Sequence, residues 1–309
     1  MDKISIVITC HRKGEPLDRA FRSLELQTDL NFEVIIVNDA STDKQLNATC
    51  REIERQGKAR VIWRKKRGGI SVARNTGCRT ISGDIYVPLD ADDELPPNAI
   101  AAIRAAYKEA PEADFVFGNY IKNDVEKDTL TTVNTGCLCD SNGYLDPREL
   151  VKEFILYGGS PFRHSMWLKI NGYDKSVKSG IEDVDFWLRA LASGAKGKYV
   201  NDVLYIWHKS KYGMNAQISG NYWFYVNQVK NRIFYNKFAI NNRQEPKILR
   251  ILEKMPPQLS FFIITLRNVF NTTVDRLFLS PIKLIRSKLG LRGPQLVKSG
   301  HTKNSSSED

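Results

Sequence analysis

Asp84-Ile-Tyr-Val-Pro-Leu-Asp-Ala-Asp-Asp93 is an apolar run that stops abruptly in carboxylates. Its apolar part suits a strand covered on both faces, as the strands of a parallel sheet are. Working outward, the same unit recurs on the N-terminal side. Ile4-Ser-Ile-Val-Ile gives a first strand, Val34-Ile-Ile-Val a second and Ala59 to Trp63 a third, with Asp84 to Leu89 the fourth. Between them Leu17, Ala20, Phe21 and Leu24 recur at i, i+3, i+4 and i+7, which predicts a helix opened by Pro16. Further helices are expected over about 43–56, 70–81 and 97–109. Strands alternating with helices are the pattern of β-α units on a parallel sheet.

On the C-terminal side Phe115-Val-Phe adds a strand, and from 122 to 180 the pattern weakens into loops. A helix near Arg148–Tyr157 and a strand near His164–Leu168 are expected there. A well-marked helix follows over 183–193, and Tyr205-Ile-Trp-His closes the patterned part at a strand end. The fold class is α/β: a single domain with a mixed, mostly parallel sheet flanked by helices, and a basic helical C-terminal extension.

Composition supports that division. The 309 residues, 42% hydrophobic and 10% aromatic, are enough for one large core and exclude collagen-like and disordered classes. The formal charge is +11, but residues 221–309 hold 15 Lys and Arg against 5 Asp and Glu, whereas residues 1–220 hold 31 against 30. A neutral globular domain over 1–215 is therefore expected to precede a basic amphipathic extension over 216–298 and a disordered tail over 299–309. Five scattered cysteines, Cys10, Cys50, Cys78, Cys137 and Cys139, lack the spacing of a zinc site or a disulfide scaffold, so a reducing cytoplasm is the simplest compartment. The N-terminal apolar run is too short for a signal-peptide core.

In an open α/β sheet, ligands gather outside the carboxyl ends of the strands. Three such ends carry chemistry: Thr9-Cys-His11, Asn38-Asp39 and Asp90-Ala-Asp92-Asp93. In extended backbone Asp90 and Asp92 point to one side, and two hard oxygen ligands together suit Mg²⁺ or Mn²⁺ bound with phosphate oxygens. Acids at a strand end also serve as solvated turns or helix N-caps, the role open to Asp93. Lys65-Lys-Arg-Gly-Gly69, entering the 70–81 helix, is consistent with amides offered to a diphosphate or with a plain surface turn. Ser179-Gly-Ile-Glu182 fits a capping box, and Asp185 with Arg189 fits an i,i+4 pair; neither explains Asp183.

The chain resembles the family-2 glycosyltransferases, of the glycosyltransferase A fold. The matching pieces are the first strand with Thr9 and His11, Val37-Asn-Asp39-Ala-Ser-Thr-Asp43, Gly68-Gly-Ile-Ser-Val-Ala-Arg74-Asn-Thr-Gly77, Asp90-Ala-Asp92-Asp93, and Glu182-Asp183-Val-Asp-Phe-Trp-Leu-Arg189, in order over residues 3–193. The resemblance implies an inverting transfer of a sugar from a nucleoside-diphosphate sugar to an acceptor hydroxyl; because a carboxylate such as Asp39 can accept from an imide N–H like that of uracil, UDP is the favoured carrier. Thr9, His11 and Asp39 would hold the nucleoside, with Asp39 facing the base. Arg74 would lie near the diphosphate or ribose, Asp90 would contact ribose or sugar, and Glu182 belongs to the same nucleotide-sugar set. Asp92 would ligate the divalent metal, Mn²⁺ or Mg²⁺, and Asp183 would be the general base. His208 resembles a late histidine that approaches the metal in some relatives. A hexosyl or N-acetylhexosaminyl transferase of surface-polysaccharide or glycolipid assembly is implied, with a saccharide or lipid-linked saccharide as acceptor.

Other classes fit less well. Strand one ends without the GxGxxG turn of a nicotinamide dehydrogenase, and without the glycine-rich loop of a sugar-phosphate nucleotidyltransferase. A non-catalytic membrane-surface or nucleic-acid-binding module would use the basic extension but leave the strand-end acids unexplained. In that extension Leu259, Phe262, Ile263, Leu266 and Phe270 fall near one helical face among basic residues. This suggests peripheral contact with an anionic membrane at its cytoplasmic face, packing on the domain, or a homodimer interface. The longest uncharged run there, Met255 to Leu266, is 12 residues, short of the roughly 20 needed to span a bilayer. Nucleic acid is not an expected partner.

Overall fold

The computed structural model describes residues 3–11, 16–152, 156–177 and 180–209. The expected extension over 216–298 and the tail over 299–309 lie outside the described residues.

Among the described residues the strands are β1 Ile4–Cys10, β2 Phe32–Asn38, β3 Arg60–Trp63, β4 Ile85–Asp90, β5 Phe115–Asp124, β6 Thr129–Val133, β7 Phe162–Arg163 and β8 Gly197–Lys209. The helices are α1 Leu17–Glu25, α2 Lys44–Arg55, α3 Ile70–Cys78, α4 Ala99–Glu109, α5 Pro147–Lys152, α6 His164–Lys169 and α7 Glu182–Ala192. The strands form one sheet in the order β3-β2-β1-β4-β7-β5-β6, with β8 alongside β5. Pairings β1–β2, β1–β4, β2–β3 and β5–β8 are parallel, while β7 runs antiparallel to β4 and β5, and β6 antiparallel to β5. The expected mixed, mostly parallel sheet flanked by helices is what forms.

The two-residue period of β1 explains the layering. Ile4, Ile6 and Ile8 face one side, where they join Leu17, Phe21 and Leu24 of α1 and Ile100 and Ile103 of α4 in one core. Val7 faces the other, in a second core with Ile35, Val37, Ala73 of α3 and Val184, Phe186 and Trp187 of α7. Gly77 of α3 lies directly against Val7, so a β-carbon there would meet that side chain and hold α3 off the sheet.

Three expectations change. His164–Leu168 is helical, and the strand is the pair Phe162–Arg163 just before it. Adjacent Met166 and Trp167 are both buried, and Trp167 donates its indole N–H to Asn75 at 3.0 Å, an arrangement strand alternation does not give. β8 begins at Gly197, well before Tyr205, and its middle carries polar, exposed Asn201 and Asp202, which hid it. Asp93 caps no helix: α4 is preceded by Asn98.

Candidate active site

Parallel register brings the loaded strand ends into one row. Thr9 lies opposite both Val37 of β2 and Asp90 of β4, and its hydroxyl is 3.4 Å from the Asp90 carboxylate. Asp39 follows β2 directly, its N–H bonded to the Cys10 carbonyl at 2.9 Å, and Ala40 turns the chain with φ +57°, a left-handed conformation uncommon for alanine. The His11 ring holds the Asp39 carbonyl through Nδ1 at 2.9 Å.

The Asp39 carboxylate is buried and already engaged. It accepts the amide of Gly68 at 3.0 Å and that of Gly69 at 2.8 Å, and pairs with Arg64 Nε at 2.7 Å. The sequence left open that these glycine amides face a diphosphate; here they face Asp39. Gly69, at φ +85°, adopts the left-handed backbone that starts α3 and that a β-carbon would strain. Of the Val37–Asp43 segment, Asp43 caps α2 by accepting the Leu46 amide at 2.7 Å, and Asn38 ties the loop through Asn47 at 2.8 Å.

Arg74 projects from α3 into the centre of the site. Its Nη2 lies 3.1 Å from Asp90 and its Nη1 3.0 Å from Glu182, and the guanidinium stands over the Tyr173 ring at 5.5 Å. Arg74 and Glu182 are both buried, whereas Asp90 is 37% exposed through its side chain. The carboxylate pairing offsets the cost of burying the guanidinium and holds its proton even more firmly than usual. Glu182 Oε1 is thus engaged by Arg74, and α7 is preceded by Ile181 with no side-chain cap; Ser179, the other half of the expected capping box, lies outside the described residues. Asp185 and Arg189 do pair, at 2.7 Å.

Asp183, half-buried beside Glu182, accepts the Val184 amide on Oδ1 at 2.7 Å. Its Oδ2 faces Gly158, where a β-carbon would stand 3.1 Å away. Burial first, and then the charge of Glu182, push Asp183 up to about 7, against the lowering pull of Arg74. A carboxyl titrating there can exchange a proton near neutral pH.

The acidic turn departs from the extended geometry. The strand ends at Asp90, and the turn closes through the Asp93 amide on the Asp90 carbonyl at 3.0 Å, so Asp90 and Asp92 do not simply alternate along a strand. Asp93 is buried, accepting Tyr205 Oη at 2.8 Å and the His208 amide at 2.8 Å, and burial with its acidic neighbours raises its proton affinity strongly. Tyr205 Oη also receives the Asp90 amide at 3.3 Å. Arg19, on the first turns of α1, reaches the Asp92 carbonyl at 2.6 Å and Glu94 at 3.4 Å.

A divalent ion held with a diphosphate needs only one or two protein carboxylates. Asp92, a hard oxygen donor at the strand end, fits that requirement, and among the described residues no group of three or more His, Cys, Asp or Glu is arranged to hold a metal alone. His208 fits less well in this arrangement. Its Nε2 is bonded to Glu94 at 2.7 Å, and its Nδ1 to the Asn123 amide at 3.1 Å. Burial, then Arg19, lowers its proton affinity.

Sequence reasoning missed Arg19, Glu94, Asn75, Tyr173 and Tyr205. Arg19 was accessible, since the first turns of a helix following a parallel strand lie at the strands' carboxyl ends. Asn75 neighbours Arg74 and locks the Tyr173 backbone on both sides, donating to its carbonyl at 2.7 Å and accepting its amide at 2.9 Å.

The profile of the family described as Glycosyl transferase family 2 matches residues 5–166, the stretch that supplies Thr9, Asp39, Arg74, Asp90 and Asp92. The chain belongs to that family. An uncharacterized glycosyltransferase of Haemophilus influenzae is 29% identical over 195 residues, 61% of this chain and 62% of that protein. YwdF, an uncharacterized glycosyltransferase of Bacillus subtilis, is 31% identical over 191 residues, 61% of this chain and 68% of its own length. The chain thus spans just under two thirds of the Haemophilus relative. Among solved structures, S. aureus TarS 1–349 in complex with UDP-GlcNAc superposes with a TM-score of 0.60 at 16% identity, covering 76% of this chain and 67% of that one. At that identity the likeness concerns the fold. It extends the glycosyltransferase A-like architecture beyond residue 166, and among the described residues no helix is long and apolar enough to cross a membrane.

Proposed function

We propose that the protein transfers a sugar from a nucleoside-diphosphate sugar, with UDP the favoured carrier, to an acceptor hydroxyl with inversion at the anomeric carbon. The observation that carries the reading is the Arg74 guanidinium held between Asp90 and Glu182. It joins the strand end where nucleotides bind in this fold class to the helix turn bearing Asp183. The UDP-GlcNAc bound by TarS supports a UDP-sugar donor.

In this reading Thr9 and His11 line the nucleoside side, and Asp39 fixes the Gly68-Gly69 loop while facing the base. Asp90 receives ribose or sugar hydroxyls. Asp92 would hold Mn²⁺ or Mg²⁺, which supplies charge neutralisation to the leaving diphosphate. Asp183 takes the acceptor proton on Oδ2, since Val184 occupies Oδ1 and Gly158 leaves the approach open. Attack from the Asp183 side with departure on the diphosphate side is a direct displacement. A saccharide or lipid-linked acceptor is proposed, and the basic segment 216–298, outside the described residues, would hold the site at an anionic membrane. Loss of co-sedimentation with anionic vesicles on truncation after residue 215 tests that last point.

The test of the reaction is a panel of UDP-, GDP- and dTDP-sugars incubated with the protein and Mn²⁺. Release of nucleoside diphosphate from at least one donor, abolished by chelator and by Asp92→Ala, is expected. Full release in excess chelator overturns the metal assignment, and pyrophosphate exchange in place of diphosphate release overturns the transferase reading.

A further inference from the structure

Arg74 and Glu182 form a buried ion pair, with side chains 6% and 5% exposed, next to a residue whose task is proton transfer. Stability gives no sufficient reason for the pair. Taking both charges out of water is costly, and a buried pair is often replaceable by apolar side chains without loss. The pair stands where its charges act on Asp183: Glu182 precedes it on the first turn of α7, and Arg74 reaches in from α3.

The charged and titratable groups facing Asp183 are Glu182 from α7, Arg74 from α3, Asp90 from the end of β4, and Tyr173 from the segment before α7. Burial pushes the Tyr173 phenol far up, so it stays neutral. The amino end of α7 and the Val184 amide favour the ionised form of Asp183. The charges that oppose one another are therefore Glu182 and Asp90 on one side and Arg74 on the other.

We propose that Arg74 and Glu182 are positioning residues for Asp183: their buried pair sets the charge beside that carboxyl on the first turn of α7 and links it, through the Arg74–Asp90 contact, to the donor side. The inference rests on Asp183 as the base. Because Arg74 also holds Asp90, the tuning is wired to the donor side: whatever draws Asp90 away leaves more of the Arg74 charge acting on Asp183.

The test is a carboxyl ¹³C NMR titration of the full chain with labelled aspartate, the Asp183 signal being assigned by its disappearance in Asp183→Asn. A charge a few ångströms away moves a titration by about 1 pH unit or more, upward for a carboxyl beside a like charge and downward beside an unlike one. Glu182→Gln, nearly isosteric, is expected to move the Asp183 midpoint down by about 1 unit, and Arg74→Gln to move it up. The Arg74→Gln/Glu182→Gln double variant is expected to fall between the two single variants. If Arg74→Gln does not fold, Glu182→Gln and the double variant decide the matter. A midpoint unmoved or raised in Glu182→Gln overturns the proposal. The base assignment fails separately, if Asp183→Asn keeps its turnover while the titration shifts stand.

Discussion

Replacing Tyr205 with phenylalanine removes one oxygen from the link between β8 and the acidic turn. In the intact protein that oxygen donates to Asp93 at 2.8 Å and accepts the Asp90 amide at 3.3 Å, in a side chain only 4% exposed. The ring itself stays, including its packing at 5.2 Å on Tyr157, so the substitution isolates the hydrogen bonds. A neutral hydrogen bond is worth about 0.5–1.5 kcal/mol net and an orphaned buried amide costs about 1–3 more, so a loss centred on about 2–3 kcal/mol is expected. For a domain of this size each kcal/mol lowers Tm by about 2–4 °C, so a fall of roughly 4–12 °C is expected. Loosening the turn also shifts Asp90 and Asp92 against the donor, and a misplacement of about 1 Å can cost 10²-fold in rate. Differential scanning calorimetry, with turnover measured well below the transition, reads both effects. An unchanged Tm refutes the hydrogen-bond argument. A lowered Tm with unchanged turnover refutes the claim that Tyr205 positions the turn.

Asp39→Ala removes the acceptor of the Gly68 and Gly69 amides and unpairs Arg64, so UDP affinity measured by calorimetry is expected to fall by about 1–3 kcal/mol; equal affinity contradicts the assignment. Asp183 binds its proton more tightly in the folded chain than an ordinary carboxyl does, so its contribution to stability is present below about pH 4 and lost as pH rises through about 7. Asp183→Asn should therefore gain Tm relative to the parent on going from pH 5 to pH 8.5, and a difference independent of pH shows that Asp183 is not strained by ionisation. The same shift places the acid limb of the rate profile near pH 7, with activity rising as Asp183 ionises; a limb near pH 4 removes that cause.

Much of the fold was legible because β1, β2 and β4 are covered on both faces and are mostly apolar, with the Asp39 and Asp90–Asp93 acids at their carboxyl ends. Short elements were less legible. Five residues at His164–Leu168 do not separate a strand from a helical turn, and β8 alternates poorly because its middle is solvated. At the site, strand ends pointed to Thr9, Asp39 and Asp90, and the family resemblance to Asp183, but neither said who bonds to whom. That Asp39 faces Gly68 and Gly69, and that Glu182 reaches Arg74, depend on long-range contacts that local spacing does not encode. Tyr205 was hidden for the same reason: an aromatic residue in an apolar strand looks like core until its hydroxyl is seen on Asp93.

The central claim is that Asp183 accepts the acceptor's proton at a site that binds the donor without it. Its most direct test is a paired measurement on Asp183→Asn: the donor dissociation constant by calorimetry, and the turnover number for diphosphate release with the donor found in the nucleotide-sugar panel. A donor constant within about twofold of the parent, with turnover reduced by about 10²-fold or more, is the predicted result. Turnover retained at the parent's level contradicts the account.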